Sequence, residues 1–163
     1  MTTLSREQLL QTNPLLAFSI YTHVQADYVL STGAELVRTL DRFGEQIDAQ
    51  EFQRAYGQFW LWILGAYEVV RTLDQHAASF APSFAERVKS LKVALAKVRI
   101  PFAKQEYRGS SARSIYSDLS VTDVNRDLAF VIDGSNVSAK AEIQRFTDFV
   151  SSVRLSDITG PQA

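Results

Sequence analysis

Arg71 and His76 are the two side chains in this sequence whose types and spacing best suit a catalytic reaction. They bound the stretch Arg-Thr-Leu-Asp-Gln-His, and His76 is one of only two histidines in the chain. An imidazole, with an ordinary pKa of about 6.5, can accept a proton from a hydroxyl near neutral pH, whereas a guanidinium keeps its charge and binds phosphate oxygens with a planar array of donors. Such a pair can activate a ribose 2′-hydroxyl and cleave RNA without a metal ion.

The same two residues also have a structural interpretation. Arg71 is three residues from both Glu68 and Asp74, a spacing that allows an ion pair on a helix. His76 follows a long apolar helical pattern and could interact with the carbonyl groups and the negative dipole at the end of that helix. Five residues span about 140° around an ideal helix, so a shared site requires either that the helix unwinds near His76 or that a symmetric partner completes it. The sequence leaves both interpretations open.

Two other motifs in the sequence could form sites. His23 lies among apolar neighbours, which favours a packed or hydrogen-bonded core histidine. The stretch 130–139, Phe-Val-Ile-Asp-Gly-Ser-Asn-Val-Ser-Ala, is similar to the first strand and turn of nucleases of the NYN/PIN class, in which the aspartate that matches Asp133 helps to bind a divalent metal. That fold needs a parallel sheet with further acidic ligands, and no second strand pattern follows Asp133. An Asp-Gly hairpin turn with positive φ explains the same residues and is preferred.

Composition excludes several classes of protein. The chain has 163 residues, of which 46% are hydrophobic and 21% charged, as expected for one globular domain. It has no cysteine and no histidine–carboxylate motif with metal-ligand spacing, which predicts no metal or other cofactor. The N-terminus has no basic segment followed by an apolar one, and the longest apolar run ends at Glu68. We therefore expect a soluble, cytoplasmic protein without a membrane span.

Positive charge is concentrated in one part of the chain. The net charge is −1, but residues 85–113 contain eight basic side chains and only Glu86 and Glu106 as acids. An amphipathic helix is predicted to carry most of this surplus, and such a face can bind a polyanion. The candidate nucleic-acid-binding residues are Lys92, Lys97, Arg99 and Lys104.

The periodicity of apolar residues predicts mainly helices. Asn13 and Pro14 suggest the start of a first long helix that continues to Phe43, with Gly44 as its stop. The stretch Asp-Ala-Gln-Glu, residues 48–51, resembles a capping box and opens a second long helix, predicted to be central. Its apolar residues, at spacings of three and four, are Phe52, Tyr56, Phe59, Trp60, Ile63, Tyr67, Val70 and Leu73.

A third helix is predicted to begin at a second capping box, Ser-Phe-Ala-Glu, residues 83–86, directly after Pro82. Its apolar stripe is Val88, Leu91, Leu95, Val98 and Phe102. Pro101 lacks a backbone donor and is expected to kink or weaken the end of this helix.

The C-terminal part mixes strand and helix patterns. A β segment of two or three strands is predicted within residues 115–138, with Asp133-Gly134 as the turn. A last amphipathic helix follows from Ala139 to Arg154, and its apolar side carries Ile143, Phe146, Phe149, Val150 and Val153. Residues 1–155 are expected to form a single helical domain, and residues 156–163 a disordered tail.

The stretch from Gly65 to His76, with its R-x4-H spacing late in a central helix, resembles the HEPN superfamily. The resemblance implies a mainly α, up-and-down helical bundle, here with a β insertion, that forms a homodimer and cleaves RNA without metal. It implies that Arg71 stabilises the phosphate, that His76 acts as base or acid, and that Thr72, Glu68 and Tyr67 position them. Thr72 is polar but differs from the asparagine, aspartate or histidine that many members have at that position. A role in a toxin or phage-defence system, with a cognate antitoxin as partner, is also implied.

A non-catalytic function remains as the alternative. A helical module of the same shape could recognise a protein partner or bind nucleic acid without cutting it. Exposure of Arg71 and His76 in one cleft favours the enzyme, and burial of either in a private salt bridge favours the binding module.

Overall fold

The computed structural model describes residues 5–44, 48–104, 121–123, 126–132 and 134–160. Within them, the helices are α1 (Arg6–Thr12), α2 (Leu15–Phe18), α3 (Ile20–Leu40), α4 (Ala49–Gln75), α5 (Pro82–Lys104) and α6 (Ala139–Ser151). The strands are β1 (Val121–Asp123), β2 (Ala129–Ile132) and β3 (Ser135–Ser138), and short 3₁₀ helices span Ala77–Ser79 and Leu155–Asp157. The predicted class, mainly α with a small antiparallel β element before the last helix, is confirmed.

Four helices, α3 to α6, form an up-and-down bundle. Helix α4 packs between α3 and α5, and α6 packs against α3. The indole Nε1 of Trp62 donates to the carbonyl oxygen of Val29 in α3 at 3.0 Å, and that of Trp60 donates to the carbonyl oxygen of Phe102 in α5 at 3.1 Å. Gly33 fits this packing because an added Cβ would lie 2.8 Å from the Trp62 ring nitrogen. None of the helices in the described part of the chain is long and apolar enough to cross a membrane.

The first predicted helix is wrong in its continuity: helix α2 begins at Leu15, one residue after the predicted Pro14, but the helix breaks at Ser19. Ser19 adopts extended backbone angles, and its hydroxyl accepts a hydrogen bond from the backbone N–H of Thr22 at 3.3 Å, so α3 starts there with its own N-cap. Asn13 also ends α1, a helix that the sequence did not predict, and Pro14 is the N-cap of the short helix α2. Helix α3 ends at Leu40, before the predicted stop at Gly44.

The second predicted helix is confirmed at its start. The Asp48 carboxylate accepts a hydrogen bond from the backbone N–H of Gln50 at 2.8 Å and caps α4. The helix is central, and its buried residues are Ala55, Phe59, Trp62, Ile63, Ala66, Val69, Val70 and Leu73. One edge nevertheless faces solvent, since Trp60 and Leu61 are 40% and 60% exposed.

Helix α5 begins one residue earlier than predicted. Pro82 is its first residue, and the backbone N–H groups of Phe84 and Ala85 both donate to the carbonyl oxygen of Ala81, so Ser83 lies inside the first turn and is not the cap. This position suits proline, which has no N–H to leave unpaired there. The predicted apolar stripe is buried, and the helix continues past Pro101 to Lys104.

The β element is a hairpin of β2 and β3 with β1 added at the edge of β2. The hairpin is antiparallel, with Ala129 opposite Ser138 and Ile132 opposite Ser135. Gly134 in the turn has φ of 71°, in the region that glycine favours. Antiparallel pairing is incompatible with the parallel sheet of the NYN/PIN alternative, although Asp133 itself lies outside the described residues.

The chain after α6 differs from the predicted tail. Helix α6 ends at Ser151, before the predicted Arg154, and the 3₁₀ helix Leu155–Asp157 follows. Ile158 forms a β-bridge with Phe80, and the backbone N–H of Thr159 donates to the carbonyl oxygen of Ser79 at 3.0 Å. Paired backbone therefore continues beyond residue 155, while residues 161–163 lie outside the described part.

Candidate functional site

His76 lies at the exposed C-terminal end of α4. Its backbone leaves the helix with φ of −111° and ψ of 31°, and its Nδ1 lies 2.9 Å from the carbonyl oxygen of Thr72. Because a carbonyl oxygen only accepts, Nδ1 must carry the hydrogen of this bond. In the neutral ring Nε2 is then the unprotonated nitrogen, which is the form that a general base needs. The Phe18 ring packs edge-to-face against the imidazole, with ring centroids 5.5 Å apart.

Arg71 is held by Glu68 on the same helix. Its Nη2 and Nε lie 2.6 and 2.7 Å from one carboxylate oxygen of Glu68, and the two side chains are 42% and 47% exposed. A pair this exposed contributes little to stability, on the order of 0–1 kcal/mol. Its geometry nevertheless fixes the guanidinium at the surface while leaving donors free, so the predicted ion pair forms without burying Arg71.

Thr72 and Tyr67 have different surroundings. The Thr72 hydroxyl donates to the carbonyl oxygen of Glu68 at 2.9 Å, while its own carbonyl accepts the bond from His76. Tyr67 is half-buried and lies beneath the guanidinium of Arg99 in α5, 4.8 Å from the ring centroid. Thr72 is therefore positioned to support His76, whereas Tyr67 belongs to the contact between α4 and α5.

Arg71 and His76 project from different sides of α4. Arg71 is four residues after Tyr67 and shares its side of the helix, which faces α5, whereas His76 contacts Phe18 next to α3. Each residue has its own partner, Glu68 for Arg71 and the Thr72 carbonyl for His76. One chain therefore does not place the two groups in one cleft, and it buries neither of them in a private salt bridge.

The candidate nucleic-acid-binding residues of α5 do not form one face. Lys92 pairs with Asp74 of α4, and Arg99 stacks on Tyr67. These two lie seven residues apart and point to the same side, toward α4, whereas Lys97 lies about 140° from Lys92 and is exposed. The side chain of Lys104 lies outside the described residues. Among the three of these side chains that the structure describes, Lys97 is thus the one best exposed to a polyanion.

An exposed apolar face on α3 was not predicted from the sequence. Ile20, Tyr21, Val24 and Tyr28 are between 59% and 80% exposed, and Leu61 of α4 is 60% exposed. A groove of about 360 Å³ between α3 and α4 lies on this side, and Val24, Tyr28, Gly65 and Glu68 are among its lining residues. We call this surface the α3/α4 face. The sequence indicates this face only indirectly: α3 has apolar residues on two sides, and these are more than one buried stripe of a helix requires.

His23 is largely buried on another side of α3 and lies beside Asp27. Its Nε2 lies 3.4 Å from a carboxylate oxygen of Asp27, and the imidazole is 16% exposed. This agrees with the interpretation of His23 as a packed or hydrogen-bonded residue. Among the residues that the structure describes, no three histidine, aspartate or glutamate side chains lie close enough together to hold a metal ion.

No family model, curated protein sequence or solved structure gives a significant match to this chain.

Proposed function

We propose that this protein is a metal-independent endoribonuclease of HEPN type, in which His76 acts as the base or acid and Arg71 stabilises the phosphate. The observation that carries the proposal is the hydrogen bond from His76 Nδ1 to the Thr72 carbonyl oxygen. It leaves Nε2 of the neutral ring as a proton acceptor at an exposed helix end, where a 2′-hydroxyl can reach it. Arg71, half-exposed and oriented by Glu68, supplies a fixed positive charge for the phosphate.

A homodimer completes this site in the proposal. Within one chain Arg71 and His76 project from different sides of α4, so a second copy must bring its own Arg71 or His76 across. The α3/α4 face adjoins Arg71 through Glu68, which lines the groove and pairs with that arginine, and it exposes Tyr21, Val24 and Tyr28. A two-fold axis through this face would pair these side chains with themselves and bury the roughly 800 Å² per partner typical of a stable interface.

The chemistry needs no group that the chain lacks. His76 takes the proton from the ribose 2′-hydroxyl, and the oxygen attacks the adjacent phosphorus as the bond from phosphorus to the 5′-oxygen breaks. The leaving 5′-oxygen takes a proton from a water molecule, and the protonated His76 returns its proton to the hydroxide that remains. Arg71 neutralises the additional charge on the phosphate oxygens in the transition state. The products are a 2′,3′-cyclic phosphate and a 5′-hydroxyl. The proposal also includes a role in a toxin or phage-defence system, with an antitoxin as partner. Only the resemblance to the HEPN superfamily supports this part.

The experiment is cleavage of a single-stranded RNA by the full chain in the presence of a chelator. The proposal predicts product ends of the cyclic phosphate type and the loss of most activity in Arg71→Ala and in His76→Ala. Activity that disappears with the chelator, or that survives in both variants, contradicts it. A wild-type protein that is folded and dimeric but inert toward varied RNAs supports the second candidate, a non-catalytic binding module. The observation that favours this candidate is the α3/α4 face, which is apolar enough to bind a protein whether or not Arg71 and His76 react.

A further inference from the structure

The chain after α6 returns to the end of α4 that carries His76. Residues 155–160, which we call the C-terminal strap, lie beside the connection between α4 and α5. Ile158 of the strap forms an antiparallel β-bridge with Phe80 of the connection. Next to this bridge the backbone N–H of Ala81 donates to the carbonyl oxygen of Asp157 at 2.9 Å. The strap therefore holds the backbone of Phe80 in place.

Phe80 is connected to His76 by the ring of Phe18. Between ring centroids, Phe18 lies 4.8 Å from Phe80 and 5.5 Å from the imidazole, which it meets edge-to-face. Phe80 is buried and also packs on Phe84 of α5, at 5.1 Å, so it is a fixed part of the core. The Phe18 ring is thus held between a buried ring and the exposed imidazole, which it supports on one side.

The backbone of His76 is tied to the same connection. The last carbonyl groups of a helix have no partner within the helix, and helix ends fray unless other groups hold them. The carbonyl oxygen of His76 accepts a hydrogen bond from the backbone N–H of Ser79 at 2.8 Å, inside the turn that leads to Phe80. Because the strap pairs with the far end of this turn, it also restrains the backbone angles that direct the imidazole.

We propose that the C-terminal strap positions His76, acting through Phe80 and Phe18. It holds the imidazole in the orientation in which Nδ1 donates to the carbonyl oxygen one helical turn earlier. Ile158, Phe80 and Phe18 are positioning residues, because they act through His76 and do not contact the substrate. Without the strap the end of α4 frays, the bond from Nδ1 is lost, and the tautomer with an unprotonated Nδ1 becomes populated. The effect on RNA cleavage rests on the proposed function, whereas the orientation of the ring does not.

The test determines the tautomer of His76 from a long-range proton–nitrogen NMR spectrum of the full chain. The spectrum is recorded at about pH 8, above the ordinary pKa of an imidazole. The chain has only two histidines, so His23, which lies beside Asp27 on another side of α3, is the internal reference. In the wild type, the two ring nitrogens of His76 should have the separate shifts of a single tautomer with its hydrogen on Nδ1.

Three variants separate the strap from general loosening of the bundle. Ile158→Ala weakens the packing of the strap on the core, and Phe18→Leu removes the ring that contacts His76. Phe130→Leu is the matched control, because Phe130 is a fully buried ring that stacks on Phe59 in the other half of α4. Ile158→Val is the milder change to the strap if Ile158→Ala does not fold.

Both strap-side variants should move the two nitrogen shifts of His76 toward each other, since the tautomers then exchange. The shifts of His23 should stay unchanged in them, and Phe130→Leu should alter neither histidine. Where the wild type cleaves RNA, kcat should fall about tenfold in Ile158→Ala and in Phe18→Leu, with KM changed less than about twofold, because only the orientation of the base is disturbed.

Unchanged nitrogen shifts of His76 in the Ile158 variant overturn the inference, even if Phe18→Leu moves them. An equal change in Phe130→Leu overturns it as well, since the ring would then respond to any loss of packing. The NMR measurement needs no RNA. A protein that is inert toward RNA therefore counts against the proposed function alone, and the nitrogen shifts still decide whether the strap positions His76.

Discussion

The Nδ1 atom of His76 lies 2.9 Å from the carbonyl oxygen of Thr72, so the ring proposed to accept a proton also caps the end of α4. Replacing His76 should therefore have two effects that can be measured separately, one on the stability of the protein and one on its activity. His76→Ala should lower the free energy of unfolding by about 1 kcal/mol, the contribution of an ordinary hydrogen bond. Urea titration followed by circular dichroism measures this, with Gln75→Ala as the control at the neighbouring exposed position. A loss above about 3 kcal/mol would mean that activity assays on His76→Ala report unfolding and not catalysis.

The dimer prediction concerns Val24 on the α3/α4 face. Val24→Glu should weaken self-association at least tenfold, because a two-fold interface would bring two unpaired carboxylates into an apolar contact. Sedimentation velocity at micromolar concentration measures the effect. Val93→Glu is the matched control, since Val93 is 48% exposed on α5, away from this face. A monomeric wild type, or equal effects of both variants, would contradict the assignment of the interface.

The division of basic residues on α5 predicts unequal effects on RNA affinity. Lys97 is exposed, whereas Lys92 pairs with Asp74, so Lys97→Ala should reduce the slope of log affinity against log salt by about 0.7 and Lys92→Ala by clearly less. Lys92→Ala should instead lower the melting temperature, because it leaves Asp74 without its partner. Filter binding of a single-stranded RNA between 50 and about 200 mM salt measures both slopes. An RNA affinity that does not change with salt would contradict the binding of RNA phosphates by this surface.

Burial of Glu142 predicts a dependence of stability on pH. Desolvation raises the pKa of this carboxyl above its ordinary value of about 4.3, although Arg145 opposes the shift. The folded state therefore holds the proton to a higher pH than the unfolded state, and the contribution of Glu142 to stability falls as pH rises through that interval.

Glu142→Gln removes this titration. The stability of the variant relative to wild type should therefore increase between pH 4 and pH 7, as measured by thermal melts at several pH values. A relative stability that decreases over the same interval would show that the ion pair with Arg145 outweighs the cost of burial.

The sequence predicted those elements whose apolar residues form a single stripe. Helix α5 is an example, because Val88, Leu91, Leu95, Val98 and Phe102 repeat at helical spacing and are all buried. Ser19 was missed as a helix start because it lies between apolar residues on both sides, so periodicity alone does not reveal the break. The N-cap of α3 depends on one hydroxyl and one backbone N–H, a local geometry that competes with helix continuation.

The sequence names candidate residues for the site but does not determine how their side chains are arranged. The ion pair of Arg71 with Glu68 follows from a spacing of three residues, which the sequence makes visible. The direction of His76 depends on backbone angles after the last helical residue, which no periodic pattern determines. The exposed Tyr21 and Tyr28 were not foreseen because apolar residues on two sides of α3 do not reveal which side is covered.

The central claim is that Arg71 of one copy and His76 of another form one site, and mixing two inactive variants tests it most directly. Arg71→Ala and His76→Ala are unfolded together, refolded as an equal mixture, and assayed for cleavage of single-stranded RNA with a chelator present. Random pairing makes half of the dimers mixed, and each mixed dimer regains one of its two sites, so the rate should return to about a quarter of the wild-type rate. Each variant alone should remain below about 1% of wild type, because residues that act as a unit lose activity together. A mixture that stays as inactive as its components, while wild type cleaves, would contradict a site shared between two copies.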